Sequence, residues 1–182
     1  MYTREMTVTI RAATAADAEA IATIHNQGIE DRIATLDIAL RSPEDSRAWL
    51  AERGPRHPVI VAIAGPGNAV DDVGHVDGAA RIVGWGSLNR FNPRAAYDHV
   101  VDFSVYVERG WRGRGIGGQL LDRLVELARS LGYHKMVLSA LARNAVGIAM
   151  YARAGFDRVG IYREQGQLDG EWVDTVIMER IL

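Results

Sequence analysis

Hydrophobic and polar residues along this chain form short runs that predict strands, separated by stretches with helical spacing. Apolar or alternating runs predict seven strands, at residues 8–12, 59–64, 82–88, 100–107, 136–141, 159–163 and 173–181. Apolar residues three or four positions apart predict four helices: one after Thr14, one from Ser42 to Gly54, one ending at Gly132 and one from Asn144 to Ala154. The order is therefore β α α β β β α β α β β, which is typical of a mixed α+β domain with one sheet covered by helices.

Local signals at the element ends support this order. Thr14 and Asp17 have the spacing of a capping box, and Ser42 followed by Pro43 is a typical helix start. An Asp169-Gly170 pair predicts the turn between the last two strands. The loop at residues 65–80 contains Asp71, Asp72 and Asp77, but it lacks the spacing of a calcium loop, so a solvated hairpin loop is the favoured interpretation.

Composition limits the classes of protein that fit. The 182 residues, 48% hydrophobic and 24% charged, suit a single domain over residues 1–182, with residues 1–7 as a flexible N-terminal extension. The 21 basic and 23 acidic residues nearly cancel, which disfavours nucleic acid and anionic membranes as partners. No apolar run approaches the roughly 20 residues of a membrane span, and the first residues lack the apolar core of a signal peptide. We therefore expect a cytoplasmic protein.

Metal and thiol chemistry are also disfavoured by the sequence. The chain has no cysteine, which excludes thiol catalysis, disulfides and thiolate metal sites. Its five histidines show no metal-ligand spacing. We therefore expect no metal site.

A glycine-rich turn follows the fourth predicted strand, residues 100–107, where the chain passes into a helix. It has the pattern R-x-x-G-x-G and consists of Arg112, Gly113, Arg114, Gly115, Ile116 and Gly117. Glycines let the backbone approach a ligand closely, and the N-terminus of a helix offers unpaired N–H groups and partial positive charge. The turn therefore predicts a phosphate-binding site, to which Arg109, Arg112 and Arg114 would add positive charge. The alternative is a connection that only eases helix packing, with the arginines on the solvated surface.

The same turn also matches a dinucleotide-binding fingerprint. Gly113, Gly115 and Gly118 satisfy G-x-G-x-x-G after a strand. That fold requires an acidic residue about twenty positions further on, near the end of the next strand, to hold the ribose. Here the next strand ends in SALARN, where Arg143 would have to bind a 2′-phosphate instead, and little chain remains for a doubly wound domain. Dinucleotide binding is therefore disfavoured.

Several motifs together resemble a known enzyme family. The strand, the R-x-x-G-x-G turn and a later N-x6-Y-x3-GF pattern (Asn144, Tyr151, Gly155, Phe156) resemble the GNAT acetyltransferases along nearly the whole chain. RAAY at residues 94–97, V-[acid]-x-S-V-Y-V at 101–107 and G-x-W-x-D at 170–174 resemble the branch that acetylates phosphinothricin, methionine sulfoximine and arsinothricin. The resemblance implies a mainly antiparallel, twisted sheet flanked by helices, and a homodimer.

The resemblance also implies acetyl-CoA as co-substrate. Its pyrophosphate would lie over residues 113–118, and its pantetheine arm would pair with the backbone of residues 105–107 like an added strand. The implied cofactor-binding residues are Val105, Tyr106, Val107, Arg112, Gly113, Arg114, Gly115, Ile116, Gly117, Gly118, Asn144 and Tyr151. In this family a tyrosine at position 151 often protonates the departing thiolate. Aromatic packing beside Phe156 is the alternative, and the phosphinothricin enzymes often carry histidine here.

The catalytic base implied by the resemblance is Asp102. Asp102, Ser104 and Tyr106 share one face of their strand, which alone would favour a half-exposed strand with polar residues outward. The branch carries a glutamate at this position, which takes the proton of the attacking amine directly or through water. Aspartate is one methylene shorter, so either a water completes the reach or the substrate lies differently.

The implied substrate is a small amine. Arg94 lies where the branch places an arginine near the acidic group of the substrate, and Asn92, Phe103 and Ser104 are candidate walls of its site. We therefore expect an N-acetyltransferase that acetylates the α-amine of an amino acid or amino-acid-like toxin by direct transfer, since no cysteine can carry the acetyl group. The alternatives are a protein or peptide N-acetyltransferase and a catalytically silent acyl-CoA-binding module.

Overall fold

The computed structural model describes residues 8–65, 69–70, 76–77 and 80–182, which form one main sheet with helices on both faces. The strands are β1 (Val8–Ala12), β2 (Val59–Ala64), β3 (Ala69–Val70), β4 (Val76–Asp77), β5 (Arg81–Arg90), β6 (Val100–Val107), β7 (Lys135–Leu141), β8 (Asp157–Leu168) and β9 (Glu171–Ile181). The helices are α1 (Ala18–Glu30), α2 (Pro43–Ala51), α3 (Ile116–Ser130) and α4 (Ala145–Arg153). None of these helices is long and apolar enough to span a membrane.

Seven strands form the main sheet in the order β1-β2-β5-β6-β7-β9-β8. Its pairings are antiparallel except for β6 with β7, which run parallel. This confirms the predicted α+β class and element order, to which the structure adds the small antiparallel pair β3–β4. Asp71, Asp72 and residues 1–7 lie outside the described residues, and of Asp77 only the backbone pairing is described.

The predicted end signals lie where the elements begin and turn. The capping box of Thr14 and Asp17 opens a short 3-10 turn that leads into α1, and Ser42 Oγ accepts a hydrogen bond of 3.0 Å from the Asp45 N–H at the start of α2. Asp169 and Gly170 have φ angles of 53° and 83°, the left-handed pair that a two-residue hairpin turn requires. The local sequence therefore specifies these boundaries.

The last hairpin is longer than the sequence predicts. β8 covers residues 157–168 instead of 159–163, and its register with β9 shifts between Arg158 and Gly160 and again between Tyr162 and Gly166. Bulges of this kind insert extra residues into one strand, so the alternation of polar and apolar positions is interrupted. The periodicity therefore fails to predict the full strand.

Two hydrophobic layers cover the two faces of the sheet. On one face α3 buries Leu120, Leu121 and Leu124 completely. On the other face Ile21 and Ile24 of α1 belong to a buried cluster with Val59, Val61 and Trp85. The close approach of α3 requires glycine in β5: a Cβ atom on Gly84 would lie 3.1 Å from Leu120 Cδ1, and one on Gly86 would lie 3.0 Å from Leu124 Cδ1. These glycines set the depth at which α3 sits on the sheet.

The central strand β6 has different neighbours along its length. β5 pairs with it from Val101 to Val107, whereas β7 pairs with it only from Val100 to Asp102. β7 then continues alongside β9 up to Leu141. Among the described residues, β6 therefore has no strand partner on its β7 side after Asp102, and the two parallel strands diverge there.

Candidate active site

A cavity of about 260 Å³ lies where β6 and β7 diverge. Its walls come from β6, β7, α4, β9 and the loop that follows α1. The polar residues in these walls include Thr35, Asp102, Ser104, Ser139, Tyr151 and Thr175. Among the described lining residues Asp102 is the only charged one, so the cavity combines a single carboxylate with hydroxyl groups and aliphatic side chains.

The Asp102 carboxyl group is destabilised in its charged form. Burial raises its pKa to about 6, and a hydrogen bond of 2.5 Å from the Phe103 N–H opposes this shift. None of the described basic side chains lies within ion-pair distance of it. Asp102 therefore exchanges a proton close to neutral pH, as a general base requires.

The Tyr151 hydroxyl is protonated at neutral pH. Burial, followed by the charges that Tyr106 and Asp102 can carry, raises its pKa to about 12. Its ring packs edge-on to Phe103 at 5.8 Å between centroids and at 6.3 Å from Phe156. Tyr151 therefore packs beside Phe156, as the alternative interpretation predicts, and also lines the Asp102 cavity, while its role as an acid stays a prediction.

The side chain of Tyr106 packs between the sheet and α1. Its ring stacks on Trp85 at 4.8 Å and lies 5.0 Å from His25. Gly28 of α1 allows this arrangement, because a Cβ atom there would lie 3.0 Å from Tyr106 Cε1. Any contact of Tyr106 with an acyl-CoA arm would therefore involve its backbone.

A hydrogen-bond network that the sequence did not predict orients Ser104. Asn89 Nδ2 donates to Ser104 Oγ at 3.0 Å, and Asn89 Oδ1 accepts from Ser87 at 2.9 Å and from Arg53 at 3.0 Å. Asn89 is also paired in register with Asp102. These partners come from β5 and from the end of α2, so their separation along the chain hides the network from sequence motifs.

The glycines of the glycine-rich turn have two different structural roles. Gly113 and Gly115 have φ angles of 77° and 80°, which L side chains rarely adopt. No side chain of a described residue caps the N-terminus of α3. A Cβ atom on Gly113, Gly115 or Gly118 would meet nothing within 4 Å, whereas one on Gly117 would lie 2.9 Å from Met150 Sδ. Gly117 thus serves helix packing, while the other three glycines border open space at the start of α3.

The arginines of this turn contribute less free charge than the sequence predicts. Arg109 and Arg112 both pair with Asp31 beside the end of α1, at 2.7 and 2.5 Å. Arg112 Nε also donates to the Val107 carbonyl at 3.1 Å, and Arg114 lies over the Trp111 ring at 4.8 Å. Glu30 and Asp31 pair with the Arg109 guanidinium, and its predicted contribution to phosphate binding stays a prediction. Ion pairs with Asp31 join Arg109 and Arg112 to the end of α1.

Asn144 has a structural function at the start of α4. Its Oδ1 accepts a hydrogen bond of 3.0 Å from the Gly147 N–H and so caps the helix. A Cβ atom on Gly147 would lie 2.6 Å from the Asn144 amide nitrogen, so glycine is required there. The cap fixes α4, the helix that carries Tyr151.

The predicted substrate residues separate into two places. Phe103 and Ser104 line the Asp102 cavity, whereas Asn92 lines a second cavity of about 270 Å³ near the start of β6. Arg94 is exposed, lines neither of these two cavities, and donates its N–H to Asn92 Oδ1 at 3.0 Å. Within this chain the structure does not bring Asn92 and Arg94 to Asp102, so their substrate contacts stay predictions.

Thr175 of β9 is a cavity residue that sequence reasoning missed. It is 3% exposed, and its Oγ1 is buried without a hydrogen-bond partner in the described part of the chain. The only nearby signal in the sequence is the G-x-W-x-D motif, which ends at the preceding Asp174.

No group of three or more potential metal ligands occurs in the part of the chain that the structure describes.

Comparison with known proteins identifies the family. Residues 29–156 match the model of the acetyltransferase (GNAT) family. The chain is 31% identical over 175 residues to an L-methionine sulfoximine/L-methionine sulfone acetyltransferase of Pseudomonas aeruginosa, covering 96% of this chain and 94% of that protein. This chain therefore belongs to the GNAT acetyltransferase family, as the sequence motifs predicted.

Two solved structures have a fold similar to that of this chain. A GNAT phosphinothricin acetyltransferase from Sinorhizobium meliloti, in complex with acetyl-CoA, has a TM-score of 0.82 and 30% identity and covers 97% of this chain and 89% of its own. A ribosomal-protein-alanine N-acetyltransferase from Brucella melitensis has a TM-score of 0.83 and 34% identity and covers 96% of this chain and 99% of its own. The fold is therefore shared by relatives named for small amino-acid-like substrates and by one named for a protein substrate.

Proposed function

We propose that this protein is an acetyl-CoA-dependent N-acetyltransferase that acetylates the α-amine of a small amino acid or an amino-acid-like toxin. The observation that carries the proposal is the pairing, in one cavity, of Asp102 with a pKa of about 6 and Tyr151 with a pKa of about 12. At pH 7–8 the first group is ionised and the second is protonated. Burial raises both pKa values, yet near neutral pH the carboxylate can accept a proton and the hydroxyl still carries one, which suits the roles of base and acid.

The residues present fit acetyl-CoA. Uncapped N–H groups at the start of α3, next to the open space over Gly113, Gly115 and Gly118, suit a pyrophosphate. On the side that faces β7, β6 has no strand partner after Asp102 among the described residues. The free backbone groups of this edge suit the amide groups of a pantetheine arm. Acetyl-CoA would supply the acetyl group as an activated thioester.

The roles of the two side chains follow from their protonation states. Ionised Asp102 accepts a proton from the substrate ammonium or attacking amine, directly or through a water that compensates for its short side chain. Tyr151 donates a proton to the sulfur that leaves. The acetyl group passes directly to the amine, because the chain has no cysteine to hold it.

The acceptor is tested by measuring release of the CoA thiol from acetyl-CoA with a panel of amines. The panel contains phosphinothricin, L-methionine sulfoximine, L-methionine sulfone, arsinothricin and acidic amino acids, and mass spectrometry verifies a product heavier by one acetyl group. We expect turnover with at least one of these amino acids. Thiol release with none of them, despite binding of acetyl-CoA, would contradict the proposal and favour a silent acyl-CoA-binding module.

The second candidate function is acetylation of a protein N-terminus. It is favoured by one observation, the likeness to the ribosomal-protein-alanine acetyltransferase at 34% identity. A cavity of about 260 Å³ suits a small acceptor better than a peptide. Comparing kcat/KM for free amino acids with kcat/KM for peptides that begin with alanine separates the two functions, and we expect the free amino acids to be preferred.

The cofactor site is tested at Gly118, because its backbone does not require glycine. Gly118→Glu places an acid in the first turn of α3, which favours the helix but repels a pyrophosphate. We expect acetyl-CoA affinity to fall by about tenfold or more, on the basis of charge repulsion near the protein surface, while thermal stability stays at the wild-type level or rises. Gly118→Ala is the matched neutral control and should bind more tightly than Gly118→Glu. Equal affinities would place the pyrophosphate elsewhere.

The resemblance supports three further parts of this proposal: action in the cytoplasm, assembly as a homodimer, and protection of the cell against a toxin by acetylation. Light scattering of the purified protein tests the dimer. Expression in a phosphinothricin- or methionine-sulfoximine-sensitive bacterium, followed by a growth assay with the toxin, tests protection.

A further inference from the structure

The Thr175 side chain combines two observations that point to a ligand. It lines the Asp102 cavity, and its buried Oγ1 has no hydrogen-bond partner among the described residues. Buried hydroxyl groups almost always have a partner, and an orphaned one is destabilising. Valine has nearly the same shape and would avoid this cost. The presence of a hydroxyl at this position is explained if a molecule that enters the cavity supplies the missing hydrogen-bond partner.

The charges around the cavity limit what that partner can be. Asp102 is its one charged lining residue in the described chain, and burial already disfavours this negative charge. A second anion deep in the same cavity would meet a carboxylate and no cation. A neutral oxygen or nitrogen atom, in contrast, can accept a hydrogen bond from a threonine hydroxyl without such a cost.

We propose that Thr175 Oγ1 hydrogen-bonds an uncharged polar group on the side chain of the acceptor amino acid and thereby determines specificity. Groups of this class are a sulfone, a sulfoximine, an amide or a hydroxyl. The inference rests on the proposed function and specifies its substrate class: amino acids with neutral polar side chains are preferred over those with an anionic phosphinate or carboxylate there.

The test compares two acceptors of similar length in wild type and Thr175→Val. L-Methionine sulfone carries the neutral oxygens, and L-norleucine has an apolar side chain of similar reach. We expect kcat/KM for the sulfone to fall about three- to tenfold in Thr175→Val, the range expected for one neutral hydrogen bond, with norleucine unchanged. Thr175→Ser, which keeps the hydroxyl, should retain the preference for the sulfone. The melting temperature of Thr175→Val should equal or exceed that of wild type, because the orphaned hydroxyl is removed.

Ser46 of α2 provides the matched control. Its hydroxyl is also buried and without a partner, but Ser46 does not line the Asp102 cavity. Ser46→Ala should therefore leave the ratio of sulfone to norleucine activity at the wild-type value. Thr175→Val activities that fall equally for both acceptors, or not at all, would overturn the inference while leaving the proposed function intact.

The wild-type enzyme supplies the remaining comparison. We expect a higher kcat/KM for L-methionine sulfone than for phosphinothricin. A clear preference for phosphinothricin would overturn the neutral-group assignment. Absence of turnover with every amino acid would reject the proposed function itself and, with it, this inference.

Discussion

Two aspartates in this molecule, the buried Asp17 and the half-buried Asp102, have opposite environments. Asp17, before α1, has a side chain only 5% exposed, and it accepts hydrogen bonds from Arg11 at 2.7 and 2.8 Å and from the Thr14 N–H at 2.7 Å. These bonds, with that from Arg11 largest, lower its pKa to about 2. Asp102, in β6, has only the Phe103 N–H to oppose its burial, and its pKa is about 6.

The difference shows how a buried carboxylate is used. Asp17 is held ionised by a cation and by backbone groups, so it stabilises the fold and is unsuited to proton transfer at neutral pH. Asp102 lacks a cation, so its charged form is costly and its proton affinity is close to that needed for catalysis. We infer that Asp17, in the turn before α1, stabilises the fold. The charged form of Asp102, in β6, lowers stability, and we infer that this carboxylate serves function.

The largest expected effect is on the rate of Asp102→Asn. The amide keeps the shape of the side chain but cannot accept a proton, and general-base catalysis is commonly worth about 10²–10⁴-fold. We therefore expect kcat to fall by that order while acetyl-CoA affinity is retained. Steady-state kinetics and calorimetric titration with acetyl-CoA measure the two quantities.

Asp98→Asn is the matched control for this variant. Asp98 lies only four residues away but lines the second cavity instead of the first. Its replacement should leave kcat near the wild-type value. A similar loss of kcat in both variants would show that the effect is not specific to the Asp102 carboxylate.

The next effect is on stability, at Asp17. Asp17→Asn removes a charged partner of Arg11 and weakens the capping box, which should cost about 1–3 kcal/mol of unfolding free energy at pH 7. Since the folded-state pKa lies below the ordinary value, this stabilisation is present above about pH 4 and is lost as the pH falls towards 2. Denaturant unfolding at pH 7 and pH 3 measures it. A difference between variant and wild type that grows at pH 3 would contradict the ion pair.

The smallest effect has the opposite sign, because Asp102→Asn should stabilise the protein. Its folded-state pKa lies above the ordinary value, so the wild type loses stability as the pH rises through about 6. Replacing the buried charge with an amide should add about 1–2 kcal/mol at pH 8, less than the full shift implies because the amide is also polar. We expect no gain at pH 4, and a loss of stability at pH 8 would show that the carboxylate is paired.

The sequence predicts the fold well where local chemistry decides it. Residues 100–107 alternate along one strand, and β6 covers the same range. The turn at Asp169 and Gly170 can likewise be predicted from the sequence, because both residues tolerate the left-handed backbone angles that the hairpin needs. β8 was predicted too short because its bulges interrupt the alternation on which the prediction depended.

The site was predictable only in part, because side chains from distant elements complete it. Asp102 and Tyr151 belong to two separate motifs and line one cavity in the structure. The family resemblance named both as catalytic candidates. It could not show that Arg109 and Arg112 would pair with Asp31 of a segment some eighty residues earlier. It also missed Asn89 and Thr175, whose roles depend on strand register and burial and leave no local pattern.

The most direct measurement of the central claim is the pH dependence of kcat/KM with an accepted amino acid, in wild type and in Asp102→Asn. The wild-type profile should fall on the acid side with an apparent pKa of about 6, losing about tenfold per pH unit below it, because only ionised Asp102 accepts the proton. The residual activity of Asp102→Asn should lack this limb. A wild-type limb near 6 that persists unchanged in Asp102→Asn would contradict the account, because another group would then be taking the proton.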